Sequence, residues 1–354
     1  MKNIIVDHKD LENFTKNILR ASGLDPYSLD AVTMGLVESS LRSVDSHGVR
    51  LLPHYSKSAL TGRKNPKPKF KIMRKFPTIA HLDADNAFGH ASGMKAIELG
   101  MEMAKEFGMG AVGVANSSHP GAMGSFALRA ARQGFICFAF THADALTKTF
   151  GGTKAFFGTN PICFAAPRND GEPFCLDMAT SCAPWNKVII SRAQNKNLEE
   201  GIAADQNGNP TTDPHLAASV MPLGGDLAGY KGVGLAAMVE VLCALFTGMN
   251  FGPHLGPMFK PPMTPRHLGQ FYLLIRSDGC VDQNYFLNEM HRMYSEFHQS
   301  PVKTGEEIFL PGEKEENAAK RRSLEGVPLM ELVFNELNDL AQTLEVSPLM
   351  TKRV

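Results

Sequence analysis

Phe150–Ser181 reads FGGTKAFFGTNPICFAAPRNDGEPFCLDMATS. Two short apolar runs, Ile162–Ala166 and Phe174–Leu176, stand between glycine turns and small polar residues. Runs of this length bounded by turn signals have the pattern of buried strands, and the polar clusters at their ends are where a site can form. Gly151, Gly152 and Gly158 permit close approach of backbone to a ligand, or a positive φ. Thr159 and Asn160 offer side-chain hydrogen bonds, and Pro161 fixes the turn that carries them. Asp177-Met178-Ala179-Thr180-Ser181 then places a carboxylate and two hydroxyls directly after the second run. This local chemistry fits a capped loop between core strands and the wall of a ligand site equally well.

Outward from this stretch, strands alternate with helices. Thr78–Asp83 alternates apolar and polar residues, and Ala91–Phe107 sets Met94, Ile97 and Met101 on one helical face. Ala111–Ala115 and Phe135–Thr141 read as buried strands, with a short helix, Ser125–Gln133, between them. The alternation predicts an α/β architecture. Nearer the N-terminus, Leu11, Phe14 and Ile18 recur at helical spacing up to Gly23. Asp25-Pro26 opens a second helix with an acidic cap and a first-turn proline; Val32, Leu36 and Val37 face its core. Gly62–Pro68, GRKNPKP, is the strongest boundary candidate in the first third.

Downstream, Ala204–Pro214 is a run of turn signals, expected as an exposed loop. Leu235, Met238, Val239, Leu242 and Leu245 form an apolar stripe on a helix predicted to start near Lys231-Gly232. Gln270–Ile275 reads as a strand, Asp282–Gln299 as an amphipathic helix, Lys314–Arg322 as a charged, solvated segment and Leu329–Leu344 as a closing helix.

Lys+Arg and Asp+Glu both number 36, so the formal net charge is zero, which argues against nucleic acid or an acidic membrane as partner. Hydrophobic residues are 43% and charged residues 20% of the 354, ordinary for a globular chain of one or two joined domains. One Trp against 22 Phe and 18 Met predicts a Phe- and Met-rich core. None of the six cysteines forms a CxxC pair, which fits buried thiols in a reducing compartment. The first residues show no apolar signal region, and no apolar run is read as reaching the roughly 20 residues that span a bilayer. The cytoplasm is the expected compartment. No HExxH, CxxC pair, calcium loop or GxSxG elbow is present, so neither a metal site nor a serine nucleophile is expected.

Gly108-Met109-Gly110-Ala111-Val112-Gly113 spells GxGxxG. A dinucleotide fingerprint needs that motif after a strand and opening a helix, so that the pyrophosphate meets the helix N-terminus. Here a helix precedes and a strand follows, so the Rossmann reading is set aside and Gly108 is read as a helix C-cap.

The motifs FGTNP, AAP and DMATS occur in order with Asp45-Ser46-His47-Gly48, Asn116-Ser117-Ser118-His119, Tyr230-Lys231-Gly232 and Leu310-Pro311-Gly312-Glu313. Together they resemble the second type of malate/L-lactate dehydrogenase family, which includes ureidoglycolate, sulfolactate and 2,3-diketogulonate oxidoreductases. The resemblance covers about residues 10 to 345. It implies a non-Rossmann, three-layer α/β fold with a large mixed sheet, forming one integrated catalytic unit over residues 1–354. Within that unit, 1–70 plus 300–354 would be the mainly helical part and 71–299 the cofactor-binding α/β part. It further implies an NAD- or NADP-dependent oxidoreductase, NAD preferred, that interconverts a 2-hydroxy acid and a 2-keto acid, commonly as a homodimer.

Oxidising an alcohol beside a carboxylate needs a base for the hydroxyl proton, a cation for the carboxylate and a cofactor face against the carbon. Imidazole serves both directions because its pKa lies near neutrality. His47 is flanked by Asp45 and Ser46, either of which could hold a ring nitrogen. His119 lies in the loop after the Ala111–Ala115 strand. The family places a proton-donating histidine in the SHG that matches His47, while its ureidoglycolate-type members use the histidine that matches His119. Both are expected to line the substrate pocket, with the main acid/base left open between them.

Arg50 is the candidate carboxylate clamp, since a guanidinium binds carboxylate as a fork. The commoner family pattern has an arginine one residue later, where this chain has Leu51, a displacement of roughly 100° around a helix. A surface role for Arg50 therefore stays open, and Tyr55 is either a pocket-edge aromatic or core packing. By the resemblance, Ser46, Arg50 and Tyr55 would contact substrate. Thr159, Asn160, Asp177, Met178, Ala179, Thr180, Ser181, Tyr230, Lys231, Gly312, Glu313 and Lys314 would contact cofactor. Lys231, a cation at an expected helix start, is consistent with a bound anion there. The Leu51 departure also leaves a second possibility, a non-catalytic relative that binds a small acid or nucleotide.

Overall fold

Ile162–Ala166 and Phe174–Met178 are strands, paired antiparallel at the edge of a seven-stranded sheet. The computed structural model describes residues 3–258 and 264–352. In chain order the strands are β1 (Asn3–Val6), β2 (Lys71–Phe76), β3 (Ile79–Asp83), β4 (Met109–Ser117), β5 (Phe135–Thr141), β6 (Thr147–Lys148), β7 (Ala155–Phe157), β8 (Ile162–Ala166), β9 (Phe174–Met178), β10 (Ala203–Ala204), β11 (Pro210–Thr211), β12 (Ser219–Val220), β13 (Leu268–Arg276) and β14 (Val327–Met330). The helices are α1 (His8–Ala21), α2 (Pro26–Leu41), α3 (Leu52–Leu60), α4 (Gly89–Phe107), α5 (Gly124–Ala131), α6 (Trp185–Gln194), α7 (Gly225–Glu240), α8 (Gln283–His298), α9 (Glu313–Glu325) and α10 (Glu331–Thr343).

The large sheet runs β2-β3-β4-β13-β5-β8-β9. β3 and β4 are its parallel pair, joined through α4; its other pairs are antiparallel. Alternation along the central strands covers both faces. Val112, Val114, Cys137, Ala139, Tyr272 and Leu274 share a core with Ile97 of α4 and Phe126 of α5. Their neighbours Ala111, Phe140 and Phe271 meet Val239 and Cys243 on the opposite face. The outcome is three layers around a mixed sheet, in agreement with the α/β, non-Rossmann reading. Gly108 takes a left-handed conformation (φ 84°) and caps α4, so the GxGxxG lies at a helix end and not at a helix start.

A second core joins α1, α2, α3 and α10 through Leu11, Ile18, Leu36, Leu52, Tyr55 and Leu337. The caps of its first two helices follow the sequence: Asp7 accepts from the amides of Lys9 and Asp10, and Asp25 accepts from Ser28 N at 2.7 Å. β1 pairs antiparallel with β14, so the two ends of the chain close this part together.

Several expectations change. Gly62–Pro68 is not an open connection, because Arg63 and Lys64 are both 4% exposed. Lys314–Arg322 forms most of α9, whose Glu316 and Arg322 are buried. The Ala204–Pro214 loop contributes to a five-stranded sheet of order β11-β10-β12-β6-β7. α7 begins at Gly225, breaks its dihedrals at Ala228 (φ −133°) and runs on into a π turn, Val241–Leu245. Its stripe is split: Val239 is buried, while Met238 is 40% and Leu245 58% exposed. By length and composition Gly225–Leu245, at 21 residues with mean hydropathy 1.4, could cross a bilayer, contrary to the sequence reading. In this fold it lies on the sheet and buries Glu240, whose carboxylate accepts from Asn160 Nδ2 and Gly252 N.

Candidate active site

His47 and His119 arrive from different parts of the chain. His47 ends a 3-10 turn, Asp45–His47, that follows α2. His119 lies just beyond β4, where the parallel β3–β4 pair ends. Their rings stack with centroids 5.5 Å apart and planes 18° from parallel. Of the two flanking groups, Ser46 holds His47: its Oγ lies 2.8 Å from Nδ1. Asp45 instead receives both terminal nitrogens of Arg322, at 2.6 and 3.0 Å. Arg322 also donates to Ser43 Oγ at 2.9 Å, so α9 anchors the turn that carries His47.

Tyr55 is both core and site. Its ring is fully buried, and its hydroxyl lies 2.8 Å from His119 Nδ1. Gly121 N donates to the same Nδ1 at 3.3 Å. Burial and the nearby Arg50 lower the His47 pKa to about 4. Burial, reinforced by His47, Lys64 and Arg266, holds His119 well below the ordinary histidine range. Both rings are therefore neutral at pH 7 and able to act as bases.

A cleft of about 510 Å³ opens beside His47. Ser46, Thr159, Asp177, Met178, Ala179, Gly312 and Lys314 all line it. Asp177 Oδ2 accepts from Gly124 N at 2.7 Å, and burial raises its pKa to about 6. Gly312 stands at the N-terminus of α9 with φ +96°, and an added Cβ would come within 3.1 Å of Cys175 N. A glycine there lets the loop and the helix start crowd against β9. The first turn of this 13-residue helix borders the cleft, where Lys314 and Glu315 stand beside Gly312. A cleft of this size, with a cation and a helix start in its wall, fits a dinucleotide.

Other expected cofactor residues are placed elsewhere. Asn160 is fully buried and its side chain is used within the core, donating to Ala236 O and Glu240 and accepting from Ala143 N. Thr180 and Ser181 spend their hydroxyls on Thr159 O and Ala183 O. Glu313 accepts from Leu310 N at 2.7 Å, bracing its own loop. Tyr230 and Lys231 lie outside the cleft lining, in the first turn after the α7 break, with Tyr230 57% exposed and stacked edgewise on Phe150. Arg50 has a buried Nη1 with no acceptor among the described residues. Leu51 is 5% exposed and belongs to the helical core, so it contributes nothing to a pocket.

A family model described as malate/L-lactate dehydrogenase matches residues 6–338. The chain belongs to the malate/L-lactate dehydrogenase family. It is 34% identical to a malate dehydrogenase of Pyrococcus abyssi, over 96% of this chain and 95% of that one. It is 29% identical to the NAD(+) ureidoglycolate dehydrogenase of Escherichia coli, over 94% of each. Among solved structures, malate dehydrogenase from Entamoeba histolytica superposes with a TM-score of 0.93 at 28% identity, covering 98% of this chain and 99% of that one. Sulfolactate dehydrogenase from Methanocaldococcus jannaschii gives 0.89 at 29%, over 97% and 98%. This family member is accordingly an oxidoreductase that interconverts a 2-hydroxy acid and a 2-keto acid with a nicotinamide dinucleotide. The non-catalytic alternative rested on Leu51 alone, and loses that support.

Sequence reasoning passed over other groups of this site. Arg42 lines the cleft, and His54, Arg63, Lys64 and Arg266 share a small cavity with His119. Arg63 and Lys64 stood in what read as a linker, where basic residues are ordinarily solvated. No local signal marks them: Arg63 is held by carbonyls some 200 residues away, and Lys64 shares its cavity with Met258 and Arg266.

Proposed function

We propose that His119 is the main acid/base of this dehydrogenase, with His47 stacked against it at the mouth of the cofactor cleft. The observation that carries the reading is the Tyr55 contact on His119 Nδ1. Tyr55 and the Gly121 N–H both engage Nδ1, so Nε2 is the ring nitrogen left to exchange a proton with the substrate hydroxyl. Burial raises the Tyr55 pKa far above its ordinary value, which keeps it a phenol throughout. In the reverse direction the same Nε2 returns the proton to the ketone oxygen.

Bound nicotinamide would supply or accept the hydride. Thr159, Asp177, Met178, Ala179, Gly312 and Lys314 would hold the dinucleotide. Tyr230, Lys231, Asn160, Thr180, Ser181 and Glu313 would support that wall from behind or beside it. NAD is proposed over NADP, on the NAD(+) named for the Escherichia coli relative. Arg50, with its unsatisfied buried nitrogen close to His47, would clamp the substrate carboxylate, and Ser46 would keep His47 oriented toward it. Residues 1–70 with 300–354 would act as the helical part and 71–299 as the cofactor part of one unit.

His119→Ala should lower kcat about 100-fold or more, and His47→Ala less than that. Full turnover in His119→Ala would remove the assignment; a larger loss in His47→Ala would transfer the role.

A further inference from the structure

α7 lays one buried carboxyl group behind the cofactor cleft. Glu240 is 3% exposed, and among the described residues no lysine or arginine pairs with it. It meets three donors instead. Oε1 accepts from Gly252 N at 2.6 Å and faces His142 Nδ1 at 3.2 Å. Gly269 N donates to His142 Nε2 at 2.8 Å, so Nδ1 is left to carry the ring proton toward Glu240. Oε2 accepts from Asn160 Nδ2 at 2.7 Å. Both oxygens therefore act as acceptors, which a carboxylate supplies and an amide does not.

Asn160 is the link from this carboxylate to the cleft. It is fully buried and its backbone is left-handed, φ +32°, which a residue other than glycine holds only when its surroundings fix it. The side chain does the fixing. Oδ1 accepts from Ala143 N at 3.1 Å, and Nδ2 donates to Ala236 O at 3.0 Å as well as to Glu240. The chain neighbours of Asn160, Thr159 and Pro161, both line the cleft. Thr159 O accepts from Thr180 N and from Thr180 Oγ1, which ties the turn to the segment after β9. The conformation of Asn160 thus sets where Thr159 stands.

The geometry points to Glu240 as a positioning residue for the cofactor: through Asn160 it holds Thr159 and Pro161 in the wall that the dinucleotide meets. Glu240 itself does not line the cleft. The inference rests on the proposed cofactor wall and extends it to the helix behind. Glu240→Gln separates this role from packing, because it keeps the volume and replaces one acceptor by a donor. Turned to keep its oxygen on Gly252 and His142, the new amide sets an NH2 against Asn160 Nδ2. Asn160 cannot flip in answer, since its oxygen serves Ala143 N and its nitrogen serves Ala236 O.

The test titrates NADH and NADPH into the full chain, followed by nicotinamide fluorescence. It compares wild type, Glu240→Gln, Asn160→Gly and the double variant, with melting temperatures and the KM for oxaloacetate at saturating cofactor. Glu240→Gln should raise the cofactor Kd about 10-fold, the size of one hydrogen bond to a charged group, and leave the substrate KM within about 2-fold. Asn160→Gly keeps the positive φ without strain but loses the tie, so it should raise Kd in the same way. Adding Glu240→Gln to it should then raise Kd little further, because the two residues act through one contact. A wild-type Kd in folded Glu240→Gln, an equal rise in cofactor Kd and substrate KM, or additive losses in the double variant would each make Glu240 merely structural and overturn the proposal. If Glu240→Gln does not fold, Asn160→Gly decides, and a wild-type Kd there overturns it. The Kd values stand by themselves if oxaloacetate is not turned over. Gly312→Ala, elsewhere in the cleft lining, tests the wall itself. A raised Kd there with none in Glu240→Gln refutes Glu240 alone; no rise in either removes the proposed wall and the inference with it.

Discussion

Four histidines surround one hydroxyl. The Tyr55 ring packs edgewise on His90 at 5.2 Å and tilted against His54 at 5.7 Å, while its oxygen reaches His119, which stacks on His47. Burial lowers the pKa of His47 to about 4 and of His54 and His90 to about 3, and holds His119 well below its ordinary value. An unfolded chain would protonate each near pH 6.5. Between those values the unfolded state binds more protons, so stability rises with pH across that window and is lost as pH falls from about 6.5 toward 4. Asp177, raised to about 6, works in the opposite sense between its unfolded value and pH 6, but it is one group against four. Urea midpoints should therefore drop steadily between pH 6.5 and 4.5. A flat or rising profile would show that these rings are solvated and charged in the fold. The same shifts predict that kcat/KM for hydroxy-acid oxidation holds its plateau below pH 6, because the base stays unprotonated there.

At the level of elements, α9 does what its composition hid. Its charged sequence reads as solvated, yet Arg322 is 7% exposed and binds Ser43 and Asp45, the turn that ends at His47. Arg322→Ala should destabilise the fold by roughly 1–3 kcal/mol, a range reduced because Asp45 is half exposed. It should also lower turnover in protein that remains folded, since the His47 turn loses its anchor; folded protein with wild-type turnover would contradict this. The elements legible in the sequence were those whose pattern is local. β8 and α4, with apolar runs and a glycine stop, fell where expected. β1 and β14 are four residues each and exist only by pairing across the whole chain. β2 is exposed along its length, so no alternation announces it. Arg63, Lys64 and Arg322 were misread for one shared reason: charge predicts solvent unless a distant partner is known.

Across the molecule, one helical segment leaves several large apolar side chains uncovered among the described residues. Leu227 is 92% exposed, and Val241, Leu245 and Phe246 are each more than half exposed on α7 and the π turn after it. We propose that a second copy covers this face. Light scattering should give the mass of a dimer, and Leu245→Asp should shift it toward one chain; a wild-type monomer at micromolar concentration would contradict this. The fold class was readable because layer order follows from strand–helix alternation, whereas the site needed the third dimension to bring residues 47, 55, 64 and 119 together. The most direct test of the account follows the hydride. Reduced cofactor deuterated at the transferring carbon would be incubated with oxaloacetate, and the product analysed by mass and proton resonance. The account predicts one deuterium at C2 of the hydroxy acid with wild-type protein, at a rate about 100-fold lower or less in His119→Ala. Cofactor that binds without any label reaching C2, across the 2-keto acids tried, would contradict it.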